Sequence, residues 1–252
     1  MRTYGAIIIG DEIMRGKRQD KHFTKLTEIL GARGLHLSWV YYLGDERPRL
    51  VETLRRTLAS GDVVFSCGGI GVTPDDHTRQ AAALAAGVPL ELNTDAEREI
   101  RARMVEMGQP VTPARLELGS VPRGSRIIPN PFNRIPGFSY GDHHFLPGFP
   151  QMAWPMAEWV LDTCYADDFR QNAEIEAAIL VWEGLEGTLL DLMRQTEAGF
   201  PGITVFSLPS FGNETVRRHV ELGVRGAPEV VAIAIEVLKA GVTALGYRYD
   251  SK

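Results

Sequence analysis

Residues 62–78, DVVFSCGGIGVTPDDHT, decide the fold of this chain. Residues 63–65, VVF, are a run of β-branched and aromatic side chains that is too short for a helix, which predicts a buried strand. The glycine-rich residues 68–71 follow, and they permit positive φ angles and a close approach of a ligand to the backbone. Thr73 is then the expected N-cap of a helix, with Pro74 in its first turn. A strand, a glycine turn and a helix N-terminus together are typical of a site for anionic groups.

Two similar units come before this stretch in the chain. Residues 6–9 predict a strand that ends in the turn 10–16, and apolar side chains at helical spacing predict a helix at 20–33. A second strand at 35–43 and a second helix at 47–60 follow in the same way. Because strands and helices alternate, we expect a mostly parallel sheet with helices on both of its faces. Ligands bind beyond the carboxyl ends of the strands in such a sheet, so the residues after these strands are predicted to form one site.

The main domain continues beyond the glycine-rich stretch. A charged helix is expected at 93–107, and short strands are expected at 125–128 and 143–146 within a region rich in Pro and Gly. The turn at 147–150, PGFP, again joins the end of a strand to the start of a helix. These elements complete a three-layer α/β/α domain, for which we predict the bounds 1–168.

A polar run, ADDFRQN at 166–172, is the predicted domain boundary. The second domain is predicted at 172–252 and has the order β-α-β-β-α. Its strands are expected at 175–182, 203–206 and 216–222, and its helices at 187–198 and from 228 onwards. This order predicts a small α+β sandwich that is KH-like or ferredoxin-like in outline.

The composition of the 252 residues argues against several classes of protein. Hydrophobic residues make up 44% and charged residues 23% of the chain, as in globular proteins, and the net charge of −5 argues against a nucleic-acid-binding protein. The apolar run at the N-terminus is too short for a signal peptide or a membrane span, so we expect a cytoplasmic protein. Cys67 and Cys164 lack the spacing of metal ligands. Alternation along a strand would send His143 and His144 to opposite faces, so both rings are expected at the surface rather than in a metal site.

Several acidic residues follow the predicted strands. Asp76 can hold a divalent metal that bridges a pyrophosphate, or orient the attacking group; alternatively, Asp75 and Asp76 only complement the helix dipole. Asp45 is either a site residue or the N-cap of the next helix. Asp11 and Glu12 lie on a tight turn between glycines, where they either face a ligand or are ordinary solvated residues. The residues alone leave each of these alternatives open.

Four stretches, taken together and in this order, carry a resemblance to a known family: GDEIMRG at 10–16, CGGIGVTPDDHT at 67–78, IPNPFNRIPGF at 128–138 and LPGFPQM at 146–152. The chain resembles the molybdopterin-binding fold shared by MoaB, MogA and gephyrin, and more closely the N-terminal part of CinA-type competence/damage-inducible proteins. Ile70 stands where the molybdopterin adenylyltransferases have Thr, which favours the CinA-like alternative. The second domain is similar in pattern to the small KH-like module of CinA proteins.

The resemblance implies a set of site residues. In the family, the GGxG loop and the PGxP turn bind the phosphate of a pterin or a nucleotide, and Asp76 and Asp45 match the acidic residues to which catalysis is assigned. The implied ligand-binding residues are Gly10, Asp11, Glu12, Gly16, Gly68, Gly69, Gly71, Thr73, Pro74, Asp75, Thr78, Pro147, Gly148 and Pro150. Molybdopterin is the implied ligand, and a divalent metal ion is the implied cofactor.

Three functions remain open at this point. The first is a CinA-like molybdopterin-binding protein that holds a pterin or nucleotide phosphate, the second is a metal-dependent pyrophosphatase acting on ADP-ribose or a related nucleotide, and the third is an oligomeric scaffold with a lost site. We expect a small phosphate-containing ligand and a homo-oligomer, and neither nucleic acid nor a membrane as a partner. The sequence ends at Lys252 without the amidohydrolase domain of full CinA proteins, so deamidation of nicotinamide mononucleotide is not expected.

Overall fold

The structure, a computed structural model, describes residues 2–170, 174–213 and 215–252. The chain separates into two compact units, Met1–Phe169 and Arg170–Lys252. Met1 and Asn172, the predicted starts of the two domains, lie outside the described residues. That the two units are independent folding domains stays a prediction.

The first unit contains the predicted alternation of strands and helices together with several shorter elements. Its strands are β1 (Tyr4–Ile9), β2 (Leu37–Leu43), β3 (Val63–Cys67), β4 (Leu90–Leu92), β5 (Ser120–Pro122), β6 (Arg126–Ile128), β7 (Gly137–Tyr140) and β8 (His143–Leu146). Its helices are α1 (Asp11–Met14), α2 (His22–Gly31), α3 (Arg47–Leu58), α4 (Thr78–Ala86), α5 (Thr94–Glu106), α6 (Pro113–Glu117) and α7 (Pro150–Cys164). The sequence pattern does not predict α1, α6, β4, β5 and β7, because such short elements show no period. No helix among the described residues is both long and apolar enough to cross a membrane.

Six strands of the first unit form one sheet in the order β2-β1-β3-β8-β7-β6. The first four strands in this order are parallel, β7 runs antiparallel to them, and β6 pairs antiparallel with β7. The predicted mostly parallel sheet is therefore confirmed. Every residue of β1 and β3 is buried, which explains why both strands read as continuous apolar runs.

Alternate side chains of the central strands enter two different cores. Ala6 and Phe65 belong to a core that includes residues of α2 and α7. Ile7 and Val64 belong to a second core that includes residues of α3 and α4. Neighbouring side chains of a strand point to opposite faces, so helices cover both faces of the sheet. This arrangement confirms the three-layer α/β/α class.

The carboxyl ends of four strands lie side by side at one edge of the sheet. Ile9 at the end of β1 pairs with Leu43 of β2. Cys67 at the end of β3 pairs with Ile8 of β1 and with Leu146 of β8. The loops that follow these strands are therefore neighbours in space, although their sequence positions differ by more than a hundred residues.

The predicted surface position of His143 and His144 is wrong, since only 1% and 0% of these residues is exposed. Strand β8 lies between β3 and β7 in a sheet whose two faces are covered by helices, so side chains on both faces of β8 are buried. The ring of His144 accepts a hydrogen bond at Nδ1 from Ser139 Oγ at 2.8 Å and donates from Nε2 to Tyr165 Oη at 2.7 Å. Tyr165 Oη in turn donates to Asp142 Oδ1 at 2.7 Å. These four residues, Ser139, Asp142, His144 and Tyr165, form the His144 cluster.

The second unit combines two helices with an antiparallel sheet. Its elements are β9 (Ile175–Trp182), α8 (Glu186–Gly199), β10 (Thr204–Ser210), β11 (His219–Gly226), α9 (Pro228–Ala244) and β12 (Tyr249–Ser251). The strand order is β10-β11-β9-β12, with antiparallel neighbours throughout. This β-α-β-β-α-β order is the ferredoxin-like one of the two predicted outlines. The short final strand β12 was not expected from the sequence.

Candidate functional site

A cavity of about 500 Å³ lies at the carboxyl edge of the main sheet. The structure brings to it residues from all three loops that the sequence singled out. The predicted residues that line it are Gly10, Glu12, Asp45, Gly68, Gly69, Gly71, Thr73, Asp75, Asp76, Pro147 and Gly148. The predicted residues outside this lining are Asp11, Gly16, Pro74, Thr78 and Pro150.

Residues 68–76, which we call the glycine loop, are longer than the sequence predicts. The expected N-cap at Thr73 is wrong, because α4 begins at Thr78 with His77 as its N-cap. Asp76 is the physical reason: its Oδ2 accepts hydrogen bonds from the Thr73 hydroxyl and from Thr73 N, the latter at 2.8 Å. Asp76 N returns a bond to Thr73 O at 2.9 Å, so residues 73–76 close on themselves. Asp75 and Asp76 therefore lie in a turn before the helix, and the alternative that places them in its first turn is wrong.

Thr78, the first residue of α4, donates hydrogen bonds to the first two residues of the glycine loop. Its Oγ1 donates to Gly68 O at 3.0 Å, and its backbone N–H donates to Gly69 O at 3.0 Å. Thr78 is fully buried, so its hydroxyl serves the loop. Gly69 has a φ of +68°, and a Cβ atom there would meet Thr78 Oγ1. This position therefore requires glycine, both for its conformation and for space.

Arg79 holds the end of the same loop. Its Nη2 donates to Gly71 O at 2.6 Å. Its Nη1 donates to Ser120 O at 3.1 Å and also to Glu117 O. The side chain is 1% exposed, so the guanidinium joins the glycine loop to the segment between α6 and β5 inside the protein.

Together these bonds orient three peptide N–H groups of the glycine loop. In a planar trans peptide the C=O and the N–H point in opposite directions. Because Thr78 and Arg79 bind the carbonyl groups on the α4 side, the N–H groups of Gly69, Ile70 and Val72 point away from α4. Within the described residues these three N–H groups have no hydrogen-bond acceptor, and all three residues line the cavity. The loop thus presents a row of free donors suited to an anion.

Asp45 and Asp11 join two of the neighbouring loops. Asp11 N donates to Asp45 Oδ2 at 2.8 Å, and Asp45 N donates to Asp11 Oδ1 at 3.2 Å. Arg15 Nη2 also donates to Asp11 Oδ2 at 2.7 Å. The alternative role of Asp45 as a helix N-cap is wrong, because Glu46 occupies that position before α3. Asp11 is thus engaged in fixing the loops, and Asp45 is the member of the pair that lines the cavity.

The environment of Asp45 raises the pKa of its carboxyl group. Burial is the main cause that raises the pKa of Asp45, the N–H bond from Asp11 opposes it, and the nearby carboxylates of Asp11, Glu12 and Asp75 raise it further. Among the residues that the structure describes, no group of three or more His, Cys, Asp and Glu is arranged to hold a metal. The divalent metal ion stays a prediction.

The turn at Pro147 and Gly148 forms the next wall of the cavity. A Cβ atom at Gly148 would lie 3.5 Å from the Cα of Gly68, so the two loops are in main-chain contact. His22 Nε2 donates to Gly148 O at 3.1 Å. The His22 side chain is buried and its Nδ1 has no partner in the described structure. Burial lowers the pKa of His22. Because Gly148 O can only accept a hydrogen bond, the ring carries a proton on Nε2.

The far wall contains residues that the site prediction omits. Asn130 Nδ2 donates to Asn133 Oδ1 at 2.8 Å and to Ile135 O at 2.9 Å, which fixes this loop. Phe149 and Met152, at the start of α7, complete the wall. The other unpredicted lining residues are Ile9, Arg18, Ile70, Val72, Leu118 and Pro136. One feature of the sequence pointed to this wall: the stretch at 128–138 is one of the four that carry the family resemblance.

Comparison with known proteins places this geometry in a family. A family model described as a probable molybdopterin binding domain matches residues 5–165. A CinA-like protein of Anaeromyxobacter sp. (strain Fw109-5) is 34% identical over 157 residues, which cover 60% of this chain and 38% of that protein. A CinA-like protein of Sulfurihydrogenibium sp. (strain YO3AOP1) is 29% identical over 229 residues, or 86% of this chain and 57% of that protein. The chain thus spans less than half of the length of the first relative and little more than half of the length of the second.

A solved structure is also similar to the first unit. The crystal structure of CinA from Thermoplasma acidophilum, whose function is described as unknown, is 26% identical and aligns with a TM-score of 0.57. The alignment covers 64% of this chain and 96% of that one.

Proposed function

Because the chain belongs to the family of probable molybdopterin binding domains, we propose that it binds a pterin or nucleotide through a phosphate group at the glycine loop. The observation that carries this proposal is the orientation of the Gly69, Ile70 and Val72 N–H groups, which lack acceptors within the described residues. Several N–H groups of one loop that lack acceptors are effective donors to phosphate oxygens. The CinA-like relatives support the family, and the ligand itself is our inference.

The other side of the cavity suits the ring of such a ligand. Ile135, Pro136, Phe149 and Met152 line it, and we call these four residues the apolar wall. A flat heterocycle packs favourably on aromatic and thioether groups. The volume of about 500 Å³ lies within the usual range for small-molecule sites, about 300–1,000 Å³.

A second candidate function is metal-assisted cleavage of a nucleotide pyrophosphate such as ADP-ribose. It is favoured by the acidic residues Glu12, Asp45 and Asp75 that line the cavity together. The pKa of Asp45 is raised mainly by burial and further by neighbouring carboxylates. Mg²⁺ commonly binds through one or two carboxylates together with substrate phosphates, so Asp45 and Glu12 would hold it. A bound divalent ion would neutralise charge at the phosphate. Asp76 binds Thr73 through Oδ2 and also lines the cavity, so its carboxylate charge would act on the metal or on the attacking group in this reaction.

Thermal-shift and calorimetric titration with molybdopterin, ADP-ribose and inorganic pyrophosphate, each with and without Mg²⁺, tests both candidates. A ligand that binds only the native state raises the melting temperature by mass action. Release of AMP from ADP-ribose would select the pyrophosphatase. Stabilisation without AMP would select the binding protein. If no ligand produces a shift, the third alternative, an oligomeric scaffold with a lost site, replaces both.

We retain a homo-oligomeric state and a cytoplasmic location as proposals that accompany this function. Light scattering coupled to size-exclusion chromatography measures the first, and cell fractionation measures the second. The expected partner is the small phosphate-containing ligand rather than nucleic acid, in keeping with the net charge of −5.

A further inference from the structure

Arg79 combines complete burial with incomplete pairing. Its side chain is 1% exposed, and the nearest carboxylate oxygen among the described residues, on Glu117, lies 3.9 Å away on a side chain that is 55% exposed. Its hydrogen bonds go to the carbonyl groups of Gly71, Ser120 and Glu117. Its Nε is buried without a partner in the described structure. A buried guanidinium without a close carboxylate is costly to the fold, so a role beyond packing is indicated.

The bond between Arg79 and Gly71 acts on the peptide that faces the cavity. The guanidinium binds the carbonyl oxygen of the peptide that joins Gly71 to Val72, and the N–H of Val72 lies at the opposite end of that peptide. A hydrogen bond to the carbonyl polarises the peptide and strengthens its N–H as a donor. The positive charge also lies directly behind the loop, where little water screens it.

Arg79 connects two walls of the cavity as well. Its Nη1 binds the carbonyl groups of Glu117 and Ser120, and Leu118 between them lines the cavity. One side chain therefore sets the positions of the glycine loop and of the segment beside it.

We propose that Arg79 is a positioning residue for the ligand phosphate: it acts through the Gly71–Val72 peptide, which it orients and polarises, and its charge strengthens anion binding from behind the loop. This inference rests on the proposed function and names the residue that makes the glycine loop selective for an anion.

The test compares Arg79→Met, which removes the charge, with Arg79→Lys, which keeps it. The matched control is Arg33→Met, because Arg33 also binds a backbone carbonyl, that of Ile29, and pairs with Asp162 at a different place in the fold. Calorimetry measures the Kd for inorganic pyrophosphate at several salt concentrations, and circular dichroism checks the fold. We expect Arg79→Met to weaken binding at least about tenfold and to reduce the salt dependence. Arg79→Lys should restore most of the affinity, and Arg33→Met should bind like the wild type.

Two results would overturn the inference while leaving the proposed function intact. One is a folded Arg79→Met protein that binds pyrophosphate as the wild type does. The other is an equal loss in both Arg79 variants with an unchanged salt dependence, which a purely structural role would produce. If the wild-type protein does not bind pyrophosphate, the proposed function fails first and the inference falls with it.

If the Arg79 variants do not fold, NMR spectra of the wild-type protein test the inference instead. In ¹⁵N-resolved NMR spectra, pyrophosphate should shift the Nε–H signal of Arg79 and the amide signal of Val72. Shifts of other cavity amides without any change at these two groups would contradict the inference.

Discussion

The glycine loop and the His144 cluster belong to the same unit but differ in whether their polar groups have hydrogen-bond partners inside the protein. In the cluster, each ring nitrogen and the Tyr165 hydroxyl have a partner inside the protein. In the loop, the carbonyl groups of Gly68, Gly69 and Gly71 accept hydrogen bonds from Thr78 and Arg79. The N–H groups of Gly69, Ile70 and Val72 have no acceptor in the part of the chain that the structure describes. Paired groups inside a core fix one packing, and free groups beside a cavity are available to a ligand. The difference separates residues that hold the fold from residues that serve the site.

His144→Ala should produce the largest loss of stability, about 4 kcal/mol, because it removes a buried ring and takes one hydrogen-bond partner from each of Ser139 and Tyr165. Urea unfolding measures the change. The exposed His36 supplies the control, since His36→Ala should change stability by less than about 0.5 kcal/mol. If folded His144→Ala protein also lost its affinity for ligand, the division between fold and site would be wrong.

Gly69→Ala should affect the site most. A side chain at φ +68° meets Thr78 Oγ1, so the loop must move and its N–H groups lose their alignment. We expect the Kd for pyrophosphate to rise about a hundredfold, equivalent to roughly 2.7 kcal/mol. Gly31→Ala is the matched control, because a Cβ atom there would have no neighbour within 4 Å. Equal affinities of the two variants would show that the glycine loop does not bind the anion.

Acid should weaken the fold through the two buried histidines. Burial lowers the pKa of His143 and of His144 to about 3 from the usual 6.5, so both rings stay neutral in the native protein and take up protons on unfolding. The stability that this provides is complete above pH 6.5 and is lost as the pH falls from 6.5 towards 3. At pH 5 we expect a loss of about 2 kcal/mol for each ring.

Urea unfolding at a series of pH values measures this loss. His144→Ala protein should show about half of the acid sensitivity. A stability that is constant between pH 7 and pH 5 would contradict the neutral state of the rings.

Asp76→Asn should have the smallest effect on stability, below about 1 kcal/mol, because the amide oxygen can still accept the bond from Thr73 N that closes the turn. The same variant sharpens the choice between the two candidate functions. If the protein is a pyrophosphatase, loss of the carboxylate charge should lower turnover about a hundredfold. Measurements of melting temperature, pyrophosphate affinity and AMP release on one preparation separate these effects. Unchanged cleavage by folded Asp76→Asn protein would remove Asp76 from the mechanism.

The sequence predicted the parts of the fold that depend on the period of apolar residues. The helix at 47–58 repeats a helical period long enough to identify it, and the strand at residues 63–67 was identified by its continuous apolar run. Chain order then placed the strand ends at one edge. The start of α4 was mispredicted because Thr73 and Pro74 resemble a helix start. Thr73 instead donates hydrogen bonds to the Asp76 carboxylate, which holds both residues in a turn before the helix. This is a local contact that the residue types permit but do not require.

Tertiary contacts account for the other residues whose burial or position differs from the prediction. Alternation showed that His143 and His144 face opposite sides of a strand, but whether a side is covered depends on elements far away in sequence. Arg79 gave no signal, since an arginine in a helix is usually exposed. Asn130 and Asn133 enter the cavity only through the position of their loop beside α7.

The requirement for glycine at position 69, where a Cβ atom would meet Thr78 Oγ1, limits how the cavity can be engineered. No side chain can be introduced at this position, so ligand preference cannot be altered there. The apolar wall offers ordinary side chains in the same cavity. A library intended to redirect the cavity to a different heterocycle should therefore vary Ile135, Phe149 and Met152 and keep Gly69.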